Sequence, residues 1–372
     1  MPFRNQLAGD PVPFRNQLAG DPVPFRTRPS ESLGVWKGYL QMAAVPNLAD
    51  RFPPMAMSDW ADTKETLHRF LQIVGKIRLA LAPPRNHWWH IPFHVTGRGL
   101  TSRPMGSSPV FAIDFDFVEH RLIVSTSTGE MEAFSLIGQS VASFYERILT
   151  VLRDLGIGVV TKRPEPYFLD DSTPFAVDTK HADYDPFWVN RYWRILSEIN
   201  VILEEFAGRF SGKTSPVHHF WHNMDIAVTR FSDREVNHPP SVDSVNREAY
   251  SREVISFGFW FGDSTFPEPA FYSYTSPEPE GLASTPLSPS TAEWLDRGTS
   301  HLAILRYDDA RATEQPAETV LGFLESGYEA GATLAGWDIA RLASPKGMTV
   351  PRVSASSAVP DATHGLDDAK SR

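Results

Sequence analysis

Apolar residues recur at helical spacing in two stretches of the chain. Leu67, Phe70, Leu71 and Val74 follow the i, i+3, i+4, i+7 rhythm, and so do Ile199, Ile202, Leu203 and Phe206. Each set therefore lies on one face of an amphipathic helix. The second set stands 132 residues after the first (67 to 199), with no gap. After each helix comes His-x-Trp-His: His87, Trp89 and His90, then His219, Trp221 and His222, with Arg98 and Arg230 at the same offset. Alternation from His87 to Arg98 predicts a strand. Trp89, Ile91, Phe93 and Val95 would point one way, and His90, His94, Thr96 and Arg98 the other. Pro216–Phe231 is the matching strand. The pattern predicts an internal duplication, a helix leading into a strand built twice, with a cleft between two related halves.

The remaining elements extend that plan. Ser58 or Asp59 can cap the first helix, which runs to about Leu81 and is ended by Pro83-Pro84. Phe111–Val118, Arg121–Thr126 and Met131–Leu136 read as strands, and Val141–Leu155 as a helix stopped by Gly156. Asp185 and Pro186 supply an N-cap and a first-turn proline for the second long helix, ending near Phe210. Glu253–Phe261, Ala270–Tyr274 and His301–Tyr307 follow as strands, then a helix over Ala317–Leu334. Phe115-Asp-Phe117 loosely matches Phe257-Gly-Phe259. The order α-β-β-β-α, twice, predicts an α+β fold with an antiparallel sheet covered by helices. The implied boundaries are 50–157 for the first repeat, 158–185 for a connector and 186–342 for the second repeat. Residues 1–49, with two tandem copies of PFRNQLAGDPV, and the Ala/Ser/Pro/Asp-rich 343–372 read as disordered.

Composition narrows the function. The chain has 372 residues and no cysteine, which excludes disulfides, thiolate metal sites and a Cys nucleophile. A net charge of −10 lacks the basic footprint of a nucleic-acid binder. No apolar run reaches the ~18 residues of a membrane span, and no apolar signal core opens the chain. A cytoplasmic location is the expectation.

Chemistry rests on histidine and arginine. On a strand, residues i and i+4 lie ~13 Å apart. The spacings HxxHxxxH (His87, His90, His94) and HHxxH (His218, His219, His222) therefore cannot each close on one ion. A metal would need both halves, with His90, His218 and His222 as ligands. Arg98 and Arg230, ending equivalent strands, suit a carboxylate or phosphate, or else a salt bridge at each strand end. His120, His181 and His301 read as structural. Ala207-x4-Gly212-Lys213-Thr214 fits a loose phosphate-loop pattern. Its helix-before-strand order is the reverse of what phosphate binding needs, so Gly212 is expected as a helix C-cap.

Long motifs carry a resemblance across about Trp60 to Trp337. They are W-x-D-T-x-x-T-L-H from Trp60, Q-I-V-G-K-x-R-L-A-L-A-P-P-x-N-H-W-W-H from Gln72, R-G-L-T from Arg98 and F-D-F-V-x-H from Phe115. G-K-x-S-P-V-H from Gly212, D-x-A-V-T-R-F-S from Asp225 and P-E-P-E-G from Pro277 continue it. The chain resembles a bacterial family of uncharacterised proteins, known only as a domain of unknown function. The resemblance implies no activity and no cofactor. In that family's pattern a glycine is common where His222 stands, which shifts weight to His218.

These residues lead to one expectation and two competitors. The first is a binder of a small anionic molecule in a cleft lined by His87, Trp89, His90, Arg98, His218, Trp221 and Arg230. A metal-dependent hydrolase would use the same histidines with Asp225 or Glu253. A protein-interaction module would use the proline-rich stretch 267–289.

Overall fold

The structure is a computed structural model that describes residues 50–159 and 163–348. The expected disorder of 1–49 and of the tail beyond 348 lies outside the described residues.

Two helix-flanked antiparallel sheets make up the fold, which is therefore α+β. Helix α1 (Ala61–Leu81) leads into β1 (His94–Thr96), β2 (Gly99–Thr101), β3 (Phe111–Asp116), β4 (Arg121–Thr126) and β5 (Met131–Ser135), and α2 (Val141–Asp154) follows. These five strands form a simple meander in chain order. Helix α3 (Pro186–Gly208) opens the second half. It leads into β6 (His218–Phe220), β7 (Asp225–Glu235), the short α4 (Ser244–Ala249), β8 (Arg252–Trp260), β9 (Ala270–Ser276), β10 (Glu293–Asp296) and β11 (His301–Arg306). Their spatial order is β10-β11-β9-β8-β7-β6. Helices α5 (Tyr307–Arg311), α6 (Pro316–Leu334) and α7 (Ile339–Leu342) close the chain.

Local chemistry explains the helix starts. Ser140 accepts a hydrogen bond from the Ser143 N–H at the head of α2. Asp185 accepts from Phe187 N–H at the head of α3, with Pro186 where no N–H is needed. Gly156, at φ +71°, takes the left-handed position that stops α2.

One hydrophobic core runs through both halves. It joins Leu67, Phe70 and Val74 of α1 to Leu100, Ile113, Phe115 and Val124 of the first sheet and to Ile226, Val228, Ile255 and Phe257 of the second. Strand alternation sets which side chains face it. Phe111, Ile113 and Phe115 are buried on β3, while Ala112 and Asp114 between them are half-exposed. The two sheets meet at their first strands. Phe93 and His219 exchange both backbone N–H···O hydrogen bonds, each 2.8 Å.

Several expectations are corrected here. His87–Arg98 is not one strand. Asn86–Trp88 is a 3-10 turn in which His87 and Trp88 have φ of +54° and +61°, a left-handed backbone no strand contains. Trp89 therefore lies in the turn before β1, whereas Trp221 lies in the β6–β7 turn. Arg98 occupies the β1–β2 turn and Arg230 the middle of β7. A long helix, an antiparallel sheet and a closing helix occur in each half, but the second sheet is not a simple meander. The 132-residue offset that overlays α1 on α3 sets Trp89 and Trp221, and Arg98 and Arg230, in different elements, so it does not establish a duplication. Pro216–Phe231 is likewise two strands and a turn. Gly212 caps no helix, since α3 ends at Gly208.

Candidate functional site

The junction of the two sheets concentrates positive charge. In β1, His94 is opposite Thr101 of β2, which is opposite Asp114 of β3. His94 therefore points to the sheet face away from the core. In β6, His218 is opposite Ala227 of β7, again on the outer face, whereas His219 points inward. Across the Phe93–His219 bridge the rings of His94 and His218 come to 6.3 Å. Three arginines surround them. Arg78, at the end of α1, is 5% exposed and donates from Nε to the Pro92 carbonyl at 2.8 Å. Arg103 follows β2 and places Nη1 3.4 Å from His94 Nε2. Arg85, in the turn after α1, stacks over Trp89 at 5.2 Å. His90 sits beside them, its Nδ1 accepting the Arg85 N–H at 3.1 Å.

These charges have no counter-ions among the described residues. Arg78, Arg85 and Arg103 form no ion pair. Arg78 Nη1 and His218 Nδ1 are buried with no hydrogen-bond partner. Burial, with Arg103 nearby, pulls Arg78 down to about 10, so it stays charged at neutral pH. Burial first, then Arg103 and Arg78, lowers His94 to about 4. Burial first, then His94 and other positive neighbours, lowers His218 to about 3. Both imidazoles are thus neutral and hold hydrogen-bonding nitrogens ready. By strand register, Asp114 lies on the same face two strands away. Burial raises its carboxyl, and Thr101 donates to it.

A second titratable group shares this face. Asp225 stands diagonal to His218 in the β6–β7 ladder, about 7–8 Å away by register. It is 8% exposed and its Oδ2 accepts from the Tyr272 hydroxyl at 2.7 Å, while Oδ1 has no partner. Burial raises it to about 6. Tyr272 reaches it across Gly258, where a Cβ would lie 2.6 Å from the tyrosine ring.

The sequence-predicted residues do not share one place. His90 and His218 lie at the junction. His87 lies apart, its Nε2 accepting from Lys213 Nζ at 2.6 Å and its Nδ1 facing the Glu248 and Ala249 carbonyls, with the tilted ring of Trp89 5.4 Å away. Trp221 is core, its ring packed flat against Gly75 of α1, where a Cβ would meet it at 2.3 Å. Arg98 pairs with Asp116 at 2.9 Å, the strand-end salt bridge that competed with a ligand role. Arg230 is buried on the core side, stacked on Phe206 at 3.6 Å. His222 packs against Tyr167 and Trp221. His90, His218 and His222 are therefore not gathered as a ligand set, and no three His, Asp or Glu side chains among the described residues are placed to hold a metal ion.

Sequence reasoning missed Arg78, Arg85 and Arg103. The available signal was Arg78 itself, a charge adjoining the buried stripe Ile73, Val74 and Ile77, where an unpaired arginine is costly unless something meets it.

Fold and site together define a helix-covered α+β protein with a basic junction between two antiparallel sheets. The family of unknown function DUF5996 matches residues 52–344, and the chain belongs to that family. No curated protein and no solved structure matches it. No helix among the described residues is long and apolar enough to cross a membrane.

Proposed function

We propose that the protein binds a small anion, a phosphate or carboxylate group, at the junction formed by Arg78, Arg85, His90, His94, Arg103 and His218. One observation carries this reading. Arg78 Nη1 and His218 Nδ1 are buried and unpartnered in a cluster whose three arginines pair with no carboxylate among the described residues. Leaving such groups unmatched costs about 1–3 kcal/mol each, and clustered guanidiniums repel one another. A bound anion removes both costs at once. Arginine forks favour oxyanions with two parallel acceptors. Asp225, on the same face and diagonal to His218, would meet a donor elsewhere on the ligand. The reading keeps the anionic ligand expected from the sequence and replaces Arg98 and Arg230 with other arginines.

Titration calorimetry with inorganic phosphate and sulfate tests it. One saturable site is expected. Arg78→Ala and the exposed Arg103→Ala should each weaken it by about 1.5–3 kcal/mol, the worth of one charge-assisted hydrogen bond. Absence of binding, or variants that bind as the parent does, would overturn the proposal.

A further inference from the structure

A second site lies on the opposite side of the larger sheet, away from the junction. A cavity of about 760 Å³ opens between the end of α3, the middle of β7, α6 and α7, within the usual range for small-molecule pockets. Its polar lining is Glu205, Arg209, Arg230, Glu325, Tyr328 and Glu329. Phe210, Ile339 and Leu342 form an apolar wall.

The cavity wall holds unmatched donors. Arg230 is 1% exposed and Tyr328 5%. The Arg230 guanidinium is held between rings, 3.6 Å from the centre of Phe206 and 4.3 Å from that of Tyr328. Its Nη2 donates to the Phe206 carbonyl at 2.6 Å. Its Nε and the Tyr328 hydroxyl are buried without a partner. Buried donors left in this state favour an incoming acceptor.

Carboxylates lie beside them. Glu325 Oε2 is 3.7 Å from Arg230 Nη1, too far for a hydrogen bond. Its other oxygen meets Arg209 at 3.3 Å. Glu205 is matched by Arg209, while Glu329 at the rim has no ion pair among the described residues. The Arg230 guanidinium and the Glu325 carboxylate thus stand side by side as a loose ion pair, without a short hydrogen bond between them. The spacing matches a ligand whose own carboxylate and ammonium are neighbours.

We infer that this cavity is a binding site for a free α-amino acid with an apolar side chain. The ligand carboxylate would take the N–H of Arg230 and the hydroxyl of Tyr328. The ammonium would face Glu325 and Glu329, and the side chain would lie on Phe210, Ile339 and Leu342. The inference is independent of the anion site at the sheet junction.

Calorimetry and thermal melting of the full chain with L-leucine test it. Two half-molecules serve as controls, 4-methylpentanoate without the ammonium and isopentylamine without the carboxylate. Leucine should bind saturably and raise the melting temperature. Each half-molecule should bind about tenfold or more weakly, the loss expected when one charge-assisted contact is missing. Tyr328→Phe keeps the ring that stacks on Arg230 and removes only the unmatched hydroxyl. It should melt no lower than the parent yet bind leucine about tenfold more weakly. Glu329→Gln, at the exposed rim, should weaken leucine and leave 4-methylpentanoate unchanged. The site is refuted if leucine shows no saturable binding at millimolar concentration, if a half-molecule binds equally well, or if Tyr328→Phe binds leucine unchanged.

Discussion

His94 and His218 belong to different sheets, yet their rings stand 6.3 Å apart on one shared outer face. The reciprocal backbone bonds of Phe93 and His219 hold them there. Those bonds fix the two edge strands, so alternation sends the residues on either side of the bridge outward. The imidazoles are thereby delivered to Arg78, Arg85 and Arg103, which come from the end of α1 and from the turns on either side of β1 and β2. The two halves of the fold contribute to the proposed site at the place where their first strands touch.

Anion binding at this junction should be linked to proton uptake. Burial and positive neighbours hold His94 near 4 and His218 near 3. A bound dianion stabilises the charged imidazoles and raises both values. Sulfate keeps its charge between pH 5 and 7, so any change in its affinity belongs to the protein. We expect sulfate to bind more tightly as pH falls from about 7 to about 5, in the parent and also in Asp225→Asn, whose side chain cannot titrate, with a shallower rise once His218→Gln is added to either. Calorimetry in buffers of different ionisation enthalpy measures the protons taken up. A flat affinity across this range counts against imidazole participation.

Arg98 should prove separable from the site. Its side chain is 55% exposed and spends its guanidinium on Asp116, whose other oxygen accepts the Val118 and Glu119 N–H groups at 3.0 Å each. The carboxylate therefore keeps partners when the arginine is removed. Arg98→Ala should cost less than about 1 kcal/mol of stability, as exposed ion pairs do, and leave sulfate affinity unchanged. A sulfate affinity reduced as much as in Arg78→Ala would return Arg98 to the binding site.

The parts of this arrangement differ in how far they could be read from the chain. The two long helices and most strands were legible because periodic apolar residues face one core, as Leu67, Phe70 and Val74 do. The His87–Arg98 segment misled because alternation of polar and apolar residues does not reveal backbone direction. The positive φ of His87 and Trp88 turns the chain where a strand was expected. His90 and His218 were recognised as candidates by scarcity and spacing. Arg78 and Arg103 become partners of His94 only through contacts between elements distant in sequence, which periodicity cannot encode. Arg230 was expected beside the histidines, but its place in the middle of β7 buries it on the inner face, away from them.

Gly75 should be intolerant of the smallest side chain. In an exposed helix Gly→Ala stabilises by about 1 kcal/mol. At this position a Cβ would lie 2.3 Å from the Trp221 ring, and the indole is buried in the core. Overpacking of a tight core costs about 1–3 kcal/mol, enough to reverse the sign. Gly75→Ala should therefore lower the midpoint of chemical unfolding, and Trp221→Ala should lower it further, by about 3–5 kcal/mol through lost burial. A Gly75→Ala protein as stable as the parent would show that Trp221 does not pack on α1 in this way.

Asp225 should make stability depend on pH in the direction opposite to an ion-paired carboxylate. Burial is the main cause that raises its folded value from 3.8 to about 6, partly offset by the hydroxyl of Tyr272. A raised value means the folded protein holds the proton more tightly than the unfolded chain does. Its contribution is therefore fully present below about pH 4 and is lost as pH rises through about 6. The shift of roughly two units corresponds to about 3 kcal/mol. Asn cannot ionise, and its side-chain oxygen can still accept from Tyr272. The stability of Asp225→Asn relative to the parent should therefore rise by about 2–3 kcal/mol between pH 4 and pH 7. Urea unfolding of both proteins across that range measures the difference. A difference that stays constant with pH would mean that the carboxylate is ionised at low pH in the folded protein and that burial does not govern it. Added sulfate separates the two sites on this face. At pH 5, where the parent carboxylate is itself largely protonated, Asp225→Asn should bind sulfate as the parent does if Asp225 meets a donor on the ligand and not the anion itself.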